Sequence, residues 1–600
     1  MNHHSCITNL PSTYTHCLFE SYAYQISSNA NSSLQEVAPL SYSFIGSYFL
    51  NPYYARFTEA LNLASTWALG HGDAPTTAAA SSSSPSSPDN SAAMARPSSD
   101  SPPYTLVRAK NVGMTAMLLY ARDPTAVTAI AEAECGFGAA DMGNKGAVGL
   151  RVTWKDGGGG GGDGTQQEKT TELTFVAAHL AAMEWNLKKR NANWRSIVAG
   201  LTFANPRDVL PPDAFPRAPA DPTPDRSGAG DKAPPPRRKR QQQRLPTGDS
   251  PDPSEEEVED DELEDETASE TDGETDSAIE PLLPHGSSET AALTPSQTAA
   301  LHALSIYKPT THLFVAGDLN YRINSRTPPP GAIFPSFDPR APAERQFDAF
   351  LPRDQLTRER KAGRTLHGLS EAEIKFGPTY KFDVLDEWPS PEDEEAEEAE
   401  EAGWTQSGEE ERKPKNGVPA VPWRFAPHRW PGWCDRVLYW EVPAWAAAAT
   451  PPKGKGEEEG EGVVKIDVLA YDALPLLATS DHRPVYFRAR IPVLSEDEMR
   501  PPADVLVASE EADEQGGTSS AAAAAAAGGG EGNVVTTADP RLRLPLPVDV
   551  HAWERRAAAR RKEVLVGWSA LVWSTREGAA ALGTALAVGA AGWWVWKAWL

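Results

Sequence analysis

The sequence predicts an α/β protein built of two layered sheets flanked by helices. Three features carry that expectation. Short runs rich in β-branched and aromatic residues recur along the chain, helical patterns lie between them, and several apolar runs end in polar groups, as strands do where a sandwich meets solvent. With 600 residues, 53 prolines and long biased tracts, the chain reads as one large domain carrying insertions rather than as a string of packed domains.

Residues 1–33 offer no clear strand, because the positions before Leu34 are polar where a buried strand is expected. They read as a divergent N-terminal segment, and the domain as 34–494. Strand patterns follow at 104–110, 115–121, 147–154, 172–180 and 311–319, and again at 436–440, 463–472 and 483–491. A helical pattern, ERQFDAFLPRDQLTRERKAG, occupies 344–363. The tracts 74–103, 205–297, 390–418 and 452–462, with the glycine run 157–162, cannot bury apolar area and read as disordered insertions. A stable scaffold tolerates them because loop-closure entropy grows slowly with length. Residues 495–553 read as a disordered linker, and no internal repeat is evident.

The last residues carry a different pattern. From Gly578 to Trp596 no charge occurs, and a helix of about that length spans roughly 30 Å of hydrocarbon. Trp593, Trp594 and Trp596 sit at one end like interfacial aromatics, and Lys597 can snorkel outward. The expectation is a transmembrane tail anchor at 578–597, preceded by a basic juxtamembrane segment at 554–577 that keeps everything upstream in the cytosol. A buried, alanine-rich helix is the alternative.

The formal net charge of −27 disfavours a nucleic-acid surface unless the acid is segregated, and it is, into runs such as 254–266 and 392–403. Cys6, Cys17, Cys135 and Cys434 have no CxxC spacing, so neither a zinc site nor a disulfide framework is expected. A secretory signal is not apparent either.

The stretch AGDLNYRI (316–323) follows an apolar run and places Asp318 and Asn320 one residue apart. Strand alternation would turn both to one face, where they could hold a metal, a water or a phosphate, or simply cap a turn. His179 ends another apolar run, Asp435 precedes one, and Asp481 and His482 precede a third. If these ends meet, two histidines and three aspartates share one rim, which suggests acid/base and metal chemistry.

Seven segments, LQEVAPL (34–40), MGNKGAVGLRV (142–152), FVAAHLAA (175–182), AGDLNYRI (316–323), PTYKFD (378–383), PGWCDRVLY (431–439) and SDHRPV (480–485), occur in the order of the inositol polyphosphate 5-phosphatases. The chain resembles that family of the endonuclease/exonuclease/phosphatase superfamily, and the resemblance implies a four-layer α/β/β/α sandwich. It also implies a magnesium ion held by Glu36, with Asp481 as a second or water-bridged carboxylate. Asp318 would orient and deprotonate the attacking water, and Asn320 would hydrogen-bond a non-bridging oxygen. His482, fixed by Asp435, and His179 would contact the scissile phosphate. Asn144, Lys145, Tyr380, Lys381 and Arg429 match positions used for the inositol ring and its other phosphates. The implied substrates are phosphoinositide lipids, chiefly phosphatidylinositol 4,5-bisphosphate. A fungal branch of the family is similarly held to the endoplasmic reticulum by a hydrophobic tail.

Two departures stand out. Residues 1–33 do not clearly supply the family's opening strand, for whose asparagine Asn9 is a poor candidate, and Pro427 and His428 stand where many relatives carry a lysine. Two other functions therefore stay open: a catalytically impaired, membrane-anchored phosphoinositide-binding scaffold, and a nuclease of the same superfamily, though a broad basic surface is missing for the latter.

Overall fold

The computed structural model describes residues 15–23, 27–71, 102–156, 169–210, 293–388, 412, 420–448, 464–507, 539–574 and 576–599. All of them fall in one compact unit, drawn from 1–210 and 293–600. Most of each expected insertion, and most of 495–553, lies outside the described residues, as does Asn9.

Two sheets form the frame. The first contains β1 (Thr15–Ala23), β2 (Ser27–Gln35), β3 (Thr105–Val112), β4 (Thr115–Ala121), β12 (Asp467–Ala473) and β13 (Val485–Ile491), in the order β12-β13-β1-β2-β4-β3. The second contains β5 (Val127–Gly136), β6 (Gly146–Lys155), β7 (Thr170–His179), β8 (His312–Asp318) and β11 (Asp435–Tyr439), in the order β11-β8-β7-β6-β5. A small ribbon pairs β9 (Phe382–Val384) with β10 (Trp423–Phe425).

Alternation of side chains sorts these strands into four layers. Met117, Leu119 and Ala121 of β4 join Phe314 and Ala316 of β8 and Phe487 of β13 in the core between the sheets. The intervening Ala116, Leu118 and Tyr120 face outward onto Tyr54, Phe57 and Leu61 of helix α2 (Asn51–His71). On the second sheet the outward set, Val176 and Ala178 of β7 with Leu313 and Val315 of β8, packs against Trp194, Ile197 and Val198 of α3 (Leu187–Gly200). Strands covered on both faces read as continuous apolar runs, which is why β4 and β8 are buried at every position. The layering is the α/β/β/α sandwich expected from the sequence.

Three expectations are corrected. The opening of the domain is not strand-poor: β1 pairs parallel with β13 and antiparallel with β2, and β2 pairs with β4, so these two strands fill central places that an N-terminal boundary at 34 omits. Ladder hydrogen bonds are a backbone property, and pairing on both edges needs no apolar periodicity in SSNANSS. The helical pattern at 344–363 is realised as short helical pieces before α4 (Gln355–Lys361), where Pro352 interrupts and Asp354 caps the new start by accepting from the Thr357 amide at 2.8 Å.

The third correction concerns the C-terminus. Residues 552–599 form two helices, α5 (Ala552–Ser574) and α6 (Arg576–Trp599), but among the described residues no helix is long and apolar enough to cross a membrane. Alanine and glycine fill most of 578–592, and such small side chains bring little transfer energy per residue. The transmembrane anchor is therefore not supported. Several cations of the basic segment before it have partners within the domain. Arg555 pairs with Asp549, Arg556 with Glu563 on its own helix, and Arg560 with carbonyls of α1 (Leu40–Ile45), while Arg561 and Lys562 are exposed. Parts of the expected linker are also packed: Met499 is buried in the short helix Glu496–Met499, and Arg541 lies over the Trp440 ring.

Candidate active site

Strand register assembles the rim. In the second sheet His179 at the end of β7 lies directly beside Asp318 at the end of β8, and Asp318 lies opposite Asp435 at the start of β11. Gly317 makes this close approach possible. Its φ is 141°, and a Cβ there would sit 2.0 Å from the Ala178 carbonyl oxygen.

Asp318 is buried and fixed at both oxygens. Its Oδ1 accepts from the Asn320 amide at 2.9 Å, its Oδ2 accepts from Asn320 Nδ2 at 2.8 Å, and His179 Nε2 stands 3.3 Å from Oδ2. Burial alone would raise its pKa; His179, His482 and Lys145 outweigh burial and hold it well below the usual carboxylate range. The surrounding cations and imidazoles thus favour Asp318 as an ionised acceptor.

Asn320 lies past the strand, in the left-handed region at φ 55°. Its amide protons go to Asp318 and to the Leu180 carbonyl at 3.1 Å, and its own carbonyl accepts from Arg322. Through these contacts Asn320 orients Asp318. Simple alternation fails here because the strand stops at Asp318.

His482 and Asp435 form the second pair, with Nδ1 donating to Oδ2 at 2.9 Å. Burial opposes the charge on His482, but Asp435 dominates and raises its pKa to about 9, while burial lifts Asp435 to about 6. Near neutral pH the two are an imidazolium and a carboxylate. The Tyr380 ring packs 4.6 Å from the His482 ring, and Tyr380 also bridges to His482 through the backbone.

Lys145 approaches His179 Nε2 at 2.6 Å. That nitrogen cannot both accept from Lys145 and donate to Asp318, and burial with the Lys145 charge lowers the His179 pKa, so its neutral form is favoured. Lys381 Nζ lies 3.3 Å from Asp481 Oδ2. Arg429 lies over the loop after β7, its Nε 3.8 Å from Glu184 and its NH2 3.4 Å from Met183 Sδ. Asn144 packs its Oδ1 against Gly138, buried and without a hydrogen-bond partner among the described residues.

Glu36 follows β2 at φ 53° and is close enough for its charge to act on His179. Asp481 Oδ1 is buried without a hydrogen-bond partner among the described residues. Among the described residues no group of three or more His, Cys, Asp or Glu side chains is spaced to hold a metal. A hard cation that keeps most of its waters needs only one or two carboxylates, and the orphaned Asp481 oxygen with half-buried Glu36 fits such a donor set.

Sequence reasoning overlooked Arg322, Glu184 and Glu563. Arg322 is buried, stacks 4.2 Å over the Tyr380 ring and holds Asn320, so it ties AGDLNYRI to PTYKFD; it stood within a motif already singled out. Glu184 is fully buried near Arg429, and no spacing signal marks it.

Fold and rim together define a four-layer sandwich whose strand ends gather carboxylates, imidazoles and cations. The chain belongs to the Endonuclease/Exonuclease/phosphatase family 2, whose model matches residues 23–227 and 288–488. It is 29% identical over 197 residues to type I inositol polyphosphate 5-phosphatase 13 of Arabidopsis thaliana, covering 32% of this chain and 13% of that one. It is 30% identical over 182 residues to the phosphatidylinositol polyphosphate 5-phosphatase type IV of Rattus norvegicus, covering 30% and 19%. It is 28% identical over 192 residues to the polyphosphatidylinositol phosphatase INP53 of Saccharomyces cerevisiae, covering 31% and 12%. The aligned stretches thus span less than a fifth of each of these relatives.

Proposed function

We propose that this protein is a phosphoric monoester hydrolase that removes the 5-phosphate from inositol phosphates or phosphoinositide lipids, with phosphatidylinositol 4,5-bisphosphate as its substrate and magnesium as its cofactor. The observation that carries this reading is the meeting of the His179–Asp318 and Asp435–His482 pairs within reach of Lys145. The similarity to inositol polyphosphate 5-phosphatases supports the choice of substrate class.

Glu36 and Asp481 are the residues that would hold magnesium, whose role when bound is to neutralise charge on the phosphoryl and leaving oxygens. Asp318, clamped by Asn320, accepts a hydrogen bond from the attacking water and sets its direction. A carboxylate so acidic stores a proton poorly; its contribution is orientation and field, which suits phosphoryl transfer through a loose transition state. His482, held charged by Asp435, donates from Nε2 to a phosphate oxygen. An incoming phosphate draws Lys145 away from His179 Nε2, and His179 then donates to Asp318 or to the phosphate. Tyr380, Lys381 and Arg429 would contact the ring and its remaining phosphates.

The direct test is phosphate release from vesicles containing phosphatidylinositol 4,5-bisphosphate, with magnesium and with EDTA. Release that stops in EDTA and returns with magnesium supports the reading; no release under either condition, or release indifferent to EDTA, rejects it.

The pH profile is a second expected result. Activity requires Asp435 ionised and His482 protonated, so the rate should rise as pH climbs through about 6 and fall as it passes about 9. A rate unchanged between pH 7 and pH 10 would contradict this assignment of the pair.

A further inference from the structure

Glu563 is a buried carboxylate far along the chain from every motif of the site. It is 0% exposed, and its Oε1 accepts from the backbone amide of Gly143 at 2.8 Å. Arg556 grips both of its oxygens, and Arg560 approaches Oε2 at 3.3 Å while donating to the Ile45 carbonyl at 2.8 Å. Burying a carboxylate is costly unless it is paired and hydrogen-bonded, and here the cations on its own helix do the pairing. What remains for the carboxylate is a charge-assisted bond to one loop amide.

That amide has a particular place. Gly143 immediately precedes Asn144 and Lys145, and its carbonyl accepts from the Met114 amide at 3.1 Å. The Met114 carbonyl in turn accepts from the Val37 amide at 3.1 Å, one residue after Glu36. Two glycines make the stack tight: a Cβ on Gly113 would lie 2.2 Å from the Gly143 carbonyl oxygen, and one on Gly143 would lie 2.8 Å from the Gly113 amide nitrogen. The relay Glu563, Gly143, Met114, Val37 therefore ends at the backbone that turns Glu36 toward the rim. Arg560 of the same helix also holds the end of α1, donating to the Phe44 and Ile45 carbonyls.

We infer that α5 is a working part of the catalytic domain and that Glu563 is a positioning residue: its contact with Gly143 sets the loop that presents Lys145 and, through Met114, the turn that presents Glu36. The inference rests on the function proposed above for its kinetic consequence, but the loop geometry can be read without it. Plain packing of α5 on the domain would stabilise the fold without any specific effect on residues 142–145.

The experiment uses the full chain carrying Glu563→Ala or Glu563→Gln, with Arg561→Ala, an exposed neighbour on the same helix, as control. Amide hydrogen exchange is followed at 142–145 and 36–38, and phosphate release from inositol 1,4,5-trisphosphate is measured with magnesium. Loss of a hydrogen bond to a charged group should raise exchange at 142–145 by about ten-fold or more in Glu563→Ala, with KM rising by a similar factor and kcat changing less. Glu563→Gln keeps a carbonyl acceptor and should recover most of the loop protection; it also provides the reading if the alanine variant does not fold. Arg561→Ala should leave both measurements unchanged. Increased exchange confined to α5, or kcat lost in proportion to unfolded protein with KM unchanged, overturns the inference. If the native chain releases no phosphate, the proposed function fails, while exchange at 142–145 still decides whether Glu563 holds the loop.

Discussion

Asp318→Asn should lower phosphate release by about 10²- to 10⁴-fold while the protein stays folded. The substitution is nearly isosteric and can still accept from the Asn320 amide at Oδ1, so the strand end keeps its shape. What disappears is the negative charge that faces His179, His482 and Lys145. Without it the water loses its orienting acceptor, and the three nitrogens crowd one another uncompensated. An amide at this position would also direct a donor toward His179 or Lys145. The loss should appear in kcat at saturating inositol 1,4,5-trisphosphate, with an unfolding midpoint in urea close to that of the native chain. A rate within ten-fold of native would show that Asp318 does not hold the nucleophile.

The second large effect concerns stability rather than turnover. Arg436 is fully buried in β11, with NH1 3.0 Å from Asp354 Oδ2 and NH2 2.6 Å from Glu371 Oε2. The Tyr471 hydroxyl closes the network by donating to Glu371 Oε1 at 2.9 Å. Arg436→Ala leaves two carboxylates in the interior with no cation, and breaking such a buried group typically costs about 3–5 kcal/mol. The urea midpoint should fall accordingly with little change in slope. Lys375→Ala, which breaks an exposed pair with Glu373, should cost less than about 1 kcal/mol. Equal effects of the two substitutions would mean that the buried network contributes no more than a surface contact. Because Arg436 follows Asp435 directly, the network also anchors the strand that carries the partner of His482.

How much was legible beforehand follows from what each element depends on. The strands at 115–121 and 311–319 could be read from composition because both of their faces are buried and nearly every residue must be apolar. Strand β5 could not. Its sequence VTAIAEAECG is rich in helix-forming Ala and Glu, and only the ladder with β6 makes it a strand. Strands β1 and β2 escaped for a related reason: their places depend on β13 and β4, hundreds of residues and tens of residues away in the chain. At the site the residue types and their order were readable, whereas the direction of Asn320 was not, because it turns on a left-handed backbone that alternation does not foresee.

The C-terminal segment marks the same boundary. A run of uncharged residues after a basic cluster suggested a membrane span, since hydropathy and charge are local properties. Some partners of those basic residues are not local: Arg560 meets the carbonyls at the end of α1, and Arg556 meets Glu134, only once the chain has closed on itself. By itself, then, the sequence determined which strands are apolar, which chemical groups end them and hence the family. Tertiary structure decided which of those groups touch, which amides and cations are already engaged, and that a distant helix reaches the Lys145 loop. Side-chain identity is carried by each residue alone, but hydrogen bonding and charge pairing belong to pairs that only folding brings within a few ångströms.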